Sequence, residues 1–206
     1  MTTKAQLSEA QVEMLIHRYC ALAMPMMLRF MTVNACISAT RVACEFFQAF
    51  DIPVEPVSTK FVVEVPAMKL AYTSGLSEEE LATAKDSRRA FGRGWNGHLI
   101  ARVARNWLID PGFNQIAAPE ALGPIIGLDL NHEPIPIFPL TDDATDSFHV
   151  EYGCVSGNGL ELTVHYITTN DTAWRKTEAW NDAGLSWLAS EIMVRVRQDI
   201  EAMNHG

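Results

Sequence analysis

The sequence predicts an α+β fold. Three features point that way: helix-period apolar stripes near both ends of the chain, a β-branched run over 54–65, and strand-turn-strand patterns at 98–110 and 148–168. With 206 residues, 48% of them hydrophobic and 20% charged, the chain can bury a substantial core, and its length suits one domain. The formal charge of -9 and pI near 5.1, with no cluster of Lys and Arg, argue against a nucleic-acid partner.

The first helix opens on a capping box, Ser8 with Gln11 three residues on, and repeats apolar residues at Val12, Leu15, Ile16, Tyr19 and Ala23. Pro25 lacks an N–H and clashes with the preceding turn, so this helix is expected to kink or end near Met24. Residues 1–6 lack the basic start and apolar run of a secretory signal, and Arg29 interrupts the apolar stretch 21–33, so no membrane span is expected. A second helix is expected over 36–50, with an apolar stripe at Ile37, Ala39, Val42, Ala43, Phe46, Phe47 and Phe50. Asp51-Ile52-Pro53 should end it, since the residue before proline disfavours the α conformation, and β structure follows over 54–65.

Ser77 with Glu80 marks a short acidic helix with a solvated face. Gly92, Gly94 and Gly97, beside Trp95, make a permissive loop leading into His98. From His98 the chain reads as a hairpin returning to Asp110. If its turn spans three residues, 104–106, Val103 pairs with Trp107, Ala101 with Ile109 and Ile100 with Asp110. Leu99, Ala101, Val103, Trp107 and Ile109 then share one apolar face, and His98 and Asp110 share the other. A two-residue turn would separate that pair.

Half of the ten prolines fall in 112–147, which reads as a long ordered loop or lid. Strands at 148–156 and 160–168 flank Gly157-Asn158-Gly159, which suits a tight hairpin turn. The last helix carries the stripe Leu185, Leu188, Ile192, Val196, Ile200 and Met203.

Cysteines at 20, 36, 44 and 154 form no CxxC pair, which fits a reduced compartment, and a cytoplasmic location is expected. A thiolate attacks carbonyl carbon, and a cysteine at a helix N-terminus is favoured for this by the dipole and the unpaired N–H groups. Cys36 occupies such a position. An imidazole can take its proton while a carboxylate on the other ring nitrogen fixes the tautomer, and His98 and Asp110 supply those groups. Taken singly, each has a plainer reading: a small buried hydrophobe, a satisfied strand histidine, a turn former before Pro111.

Asn34, Thr32 and Gln115 are candidate oxyanion donors beside the Cys36 N–H, though each also reads as a cap or loop residue. Trp95 is a candidate wall of a substrate channel, whereas Trp107, Trp180 and Trp187 read as packing residues. Cys36, His98 and Asp110 are acceptable zinc ligand types, but no CxxC or HExxH supports them, and His132, His149 and His165 lack metal-ligand spacing. No metal and no cofactor is expected.

Two blocks of text are specific in combination. The run from Cys36-Ile-Ser-Ala-Thr-Arg to Asp51-Ile-Pro-Val-Glu-Pro-Val resembles the nucleophile helix and following strand of the transglutaminase-like superfamily, within the papain-like group. Gly97-His98 through Trp107-Leu-Ile-Asp110-Pro111 resembles the same family's histidine strand and its tryptophan-to-aspartate-proline ending. Arylamine N-acetyltransferases are more distantly similar. The resemblance covers about 34–111. Departures are the lack of Gly-Gly or Trp beside Cys36, and Leu-Ile after His98 where an aromatic residue is common.

The resemblance implies a papain-like/transglutaminase-like fold, with the nucleophile helix packed against an antiparallel β-sheet and helices flanking it. It implies one domain over 1–206, with its core at about 34–111, the Pro-rich loop at about 112–147 and a C-terminal hairpin and helix at 148–206. It further implies that Cys36, His98 and Asp110 cleave or transfer an amide or related acyl group through a thioester. The expected partner is a peptide, protein or small acyl/amide substrate, with no nucleic acid and no membrane. A thiol hydrolase or peptidase is the first reading. An acyltransferase or transglutaminase forming amide bonds, and a non-catalytic binding module on the same fold, compete with it.

Overall fold

The computed structural model describes residues 7–31, 35–74, 97–113, 135–140, 148–155 and 159–204. Helix α1 (Glu9–Phe30) starts at the predicted capping box: the Gln11 N–H donates to Ser8 Oγ at 3.3 Å, and the Ser8 N–H donates to Gln11 Oε1 at 2.9 Å. Of the two outcomes expected at Pro25, a kink or an end, the end does not occur, since α1 continues to Phe30. Ala23, Met24 and Met27 are buried beside it, while Pro25 and Ala21, whose carbonyl loses its donor, are exposed. Water can serve that carbonyl, and the buried stripe holds the helix together on both sides of the proline.

Helix α2 (Cys36–Gln48) follows. Its Phe46 and Phe47 are fully buried and meet the Tyr19 ring of α1 at 4.8 and 5.1 Å. Each such burial contributes on the order of 1.5–3 kcal/mol. The chain leaves α2 through Asp51, at φ 57, ahead of Ile52-Pro53, and enters β1 (Val54–Val65) over the predicted residues.

β1 organises the sheet. Its first half pairs antiparallel with β3 (His98–Val103), and its second half pairs along the same edge with β2 (Leu70–Ser74). The opposite edge pairs with β7 (Glu161–Thr168). With β4 (Trp107–Ile109), β5 (Ile137–Pro139) and β6 (His149–Val155), the strand order is β5-β4-β3-β1-β7-β6, β2 lying off this path on β1. The sheet curls until its ends nearly meet: Phe138 of β5 and Tyr152 of β6 stack edge to face at 5.1 Å.

The β3–β4 register is the predicted one, with Val103 opposite Trp107 and Ala101 opposite Ile109 across a three-residue turn, in which Ala104 and Arg105 take positive φ. The Pro-rich segment is not all loop, because Ile137–Pro139 adds to the free edge of β4. In the last hairpin Val155 pairs with Glu161, the register that the expected turn over 157–159 requires, and residues 156–158 themselves lie outside the described residues.

The concave face encloses one apolar core, including Phe61, Val63, Ile100, Leu108, Phe138, Val164 and Tyr166. On the convex side, Ala101, Val103 and Ile109 pack against α1, α2 and the last helix, α4 (Ser186–Asn204), which a one-turn helix, α3 (Glu178–Asn181), precedes. Leu188, Ile192 and Val196 of the predicted stripe are buried, whereas Met203 is exposed. Among the described residues, no helix is long and apolar enough to cross a membrane. The predicted acidic helix near Ser77 and the glycine loop before Gly97 lie outside the described residues.

Candidate active site

The predicted trio converges from three elements. Cys36 opens α2, where the N-cap, Ala35, has no side chain to accept from the first N–H groups. His98 opens β3, and Asp110 follows β4. His98 Nε2 donates to Asp110 Oδ2 at 2.9 Å, and the Cys36 side chain lies close enough to the ring to help hold its proton. With Nε2 held by Asp110, Nδ1 is the nitrogen left for Cys36. Among the described residues these three do not form a group whose ligand atoms converge as a metal would require, and His98 and Asp110 are wholly buried, with Cys36 at 5% exposure.

Backbone fastenings hold this geometry. The Thr59 hydroxyl donates to the His98 carbonyl at 3.1 Å, and the Thr40 hydroxyl, one turn into α2, donates to the Leu99 carbonyl at 2.8 Å. The Phe61 ring lies against the imidazole at 4.5 Å and 31°. Asp110 is both the turn former and the histidine partner of the two sequence readings. The Phe113 N–H returns to its carbonyl at 3.3 Å across Pro111-Gly112, and the Gly112 N–H donates to Oδ1 at 3.0 Å. Gly112 packs so closely that a Cβ there would stand 2.6 Å from Cys36 Cβ.

Burial by itself would lower the pKa of His98. The Asp110 charge and hydrogen bond, aided by Cys36, more than offset it and raise the ring to about 10. This favours the protonated imidazole at neutral pH, with the Cys36 sulfur and the Asp110 side chain as its neighbours.

The sequence reading missed Tyr166, whose hydroxyl donates to Asp110 Oδ2 at 2.8 Å. Burial first, then the Asp110 charge, push its pKa well above the ordinary phenol value, so it stays a donor. In β7, Tyr166 sits on an alternating pattern that reads simply as core, and only the non-local β1–β7 pairing, Phe61 opposite Tyr166, brings it to the aspartate. Trp174 was missed as well: it is buried in a cluster with Cys36 and Leu99, and Trp180 crosses its ring at 4.5 Å. Arg41 of α2 donates to the Trp180 carbonyl and pairs with Glu45, fixing this cover. Of the predicted packing tryptophans, Trp107 and Trp180 pack as expected, whereas Trp187 is exposed and touches Phe30 edge to face at 4.7 Å. The candidate oxyanion and channel residues Thr32, Asn34, Trp95 and Gln115 lie outside the described residues.

Tyr166→Phe removes one acceptor's partner in a buried charged network. It is expected to lower stability by about 2 kcal/mol, a Tm fall of about 4–8 °C, while far-UV circular dichroism is unchanged. A Tm equal to that of the wild type would show that the phenol does not support Asp110.

No family model matches the chain, and no match is found among curated proteins or solved structures.

Proposed function

We propose that this chain is a cysteine-dependent hydrolase, on a papain-like/transglutaminase-like scaffold, that cleaves an amide or related acyl bond through a thioester. The observation that carries this reading is the solvent-shielded convergence of Cys36, at the start of α2, on a histidine that Asp110 holds by a 2.9 Å hydrogen bond. The sequence resemblance over about 34–111 agrees with it. Four free cysteines support a reduced, cytoplasmic setting.

In this mechanism the Cys36 proton resides on His98 Nδ1, and the thiolate adds to the substrate carbonyl carbon. In this reading the first N–H groups of α2, uncapped among the described residues, receive the developing oxyanion. His98 returns its proton to the departing amine or alkoxide, leaving a thioester on Cys36. It then takes a proton from water as the hydroxide oxygen adds to that carbonyl, and collapse releases the acid and the thiolate. Asp110, held by Tyr166 and Gly112, keeps Nε2 protonated and the ring in place throughout.

Iodoacetamide labelling tests the reading, with mass spectrometry locating the modified cysteine. Because His98 holds its proton up to about 10, a cation faces the sulfur across the neutral range, and Cys36 is expected to label rapidly well below pH 8. His98→Ala should abolish the low-pH labelling. Ordinary thiol behaviour of Cys36 in both proteins would overturn the enzyme reading in favour of a binding module.

A further inference from the structure

A second group of chemistry-bearing side chains lies on the other face of the sheet. β6 and β7 alternate in burial, so His149 and Glu151 of β6 and His165 of β7 point outward, away from the apolar core. The register sets Glu151 directly opposite His165, with His149 one pleat along. His149 Nε2 lies 3.3 Å from His165 Nδ1. Glu151 Oε1 lies 3.4 Å from the same Nδ1 and 3.9 Å from His149 Nε2. Sixteen residues separate the histidines in sequence, so spacing rules could not find them; pairing of the strands does.

Ligand atoms about 2.0–2.2 Å from a tetrahedral zinc ion stand about 3.3–3.6 Å apart, close to the separations here. A further observation points the same way. His165 Nε2 is shielded from solvent without a hydrogen-bond partner among the described residues, and Glu64 Oε2 of β1 stands behind it at 3.8 Å. That is the arrangement in which a carboxylate orients a metal-bound imidazole, its proton on the far nitrogen and its lone pair on the near one. A cation bound at Nδ1 would strengthen the Nε2–H as a donor and draw Glu64 into a full hydrogen bond.

We propose that His149, Glu151 and His165 form a divalent transition-metal site, with Zn²⁺ the best-matched ion and Glu64 its orienting carboxylate. Two imidazoles and one carboxylate disfavour Mg²⁺ and Ca²⁺, which take oxygen ligands. His149 and Glu151 are exposed, leaving the fourth position open to water or an exogenous ligand. The site is separate from Cys36 and does not depend on the activity proposed for that residue.

The test is equilibrium dialysis of the full chain, its thiols first blocked with iodoacetamide, against micromolar Zn²⁺ with metal analysis. One Zn²⁺ per chain is expected, unaffected by excess Mg²⁺. His149→Ala and His165→Ala should each weaken binding at least about tenfold, and Glu64→Gln, which removes no ligand, by about tenfold. These changes lie on the sheet surface, and circular dichroism checks the fold. No bound zinc in the blocked protein, or zinc retained equally by all three variants, would overturn the proposal.

Discussion

Cys36→Ala is expected to abolish turnover of an activated ester or thioester, by about 10⁴-fold or more, while the protein stays folded. The residue makes few stabilising contacts that alanine cannot replace, since its neighbours Leu99 and Trp174 still cover the position. The sharper expectation concerns the double variant. Cysteine and histidine act on one proton, so adding His98→Ala to Cys36→Ala should cost nothing further, because groups working as a unit are grossly non-additive. Quenched-flow mass spectrometry should find the acyl adduct on Cys36 in the wild type and on no residue in the variant. Turnover within tenfold of wild type, or an adduct mapped to Cys20, Cys44 or Cys154, would sink the mechanism. Adding an amine nucleophile to the wild-type reaction separates hydrolysis from transfer, since the amide product accumulates only if an amine can reach the thioester.

Gly112→Ala should have the next largest effect, although it removes no chemistry. The new methyl would lie 2.6 Å from Cys36 Cβ, 2.7 Å from Cys36 Cα and 3.4 Å from His98 Cε1. Two of these neighbours cannot be relieved by a side-chain rotation, so the start of α2 must move away from the Asp110 turn. Overpacking of this kind costs about 1–3 kcal/mol, and displacement of reacting groups by about 1 Å costs roughly 10²-fold in rate. Gly153→Ala is the control, since a Cβ there meets nothing within 4 Å and the change should stay within about 0.5 kcal/mol. Equal kcat/KM and Tm for Gly112→Ala and wild type would mean that the approach of the turn to α2 is looser than described.

Much of this was legible in the sequence because it is local. The odd-length turn at 104–106 fixes the parity of the β3–β4 hairpin and so puts His98 and Asp110 on one face. The capping box at Ser8 and the β-branched run at Val54–Val65 are likewise short-range signals, and both elements stand where they were expected. What escaped is what long-range pairing creates. Nothing near Tyr166 in the chain indicates an aspartate, and the β1–β7 pairing supplies that contact, whereas His149, Glu151 and His165 meet across the expected β6–β7 hairpin and were passed over because only spacing along the chain was weighed. Pro25 leaves α1 unbroken for a related reason. Its local cost is real, but burial of Ala23, Met24 and Met27 against the rest of the core outweighs it.

His165 and Tyr166 are consecutive residues facing opposite ways through one strand, the imidazole toward Glu64 and Glu151 outside, the phenol toward Asp110 inside. The pleat therefore binds the two chemistries to a single parity. A one-residue slip of β7 against β1 would drive an imidazole toward the buried carboxylate and turn the phenol out among the surface acids, so neither face can lose its register without the other losing its own.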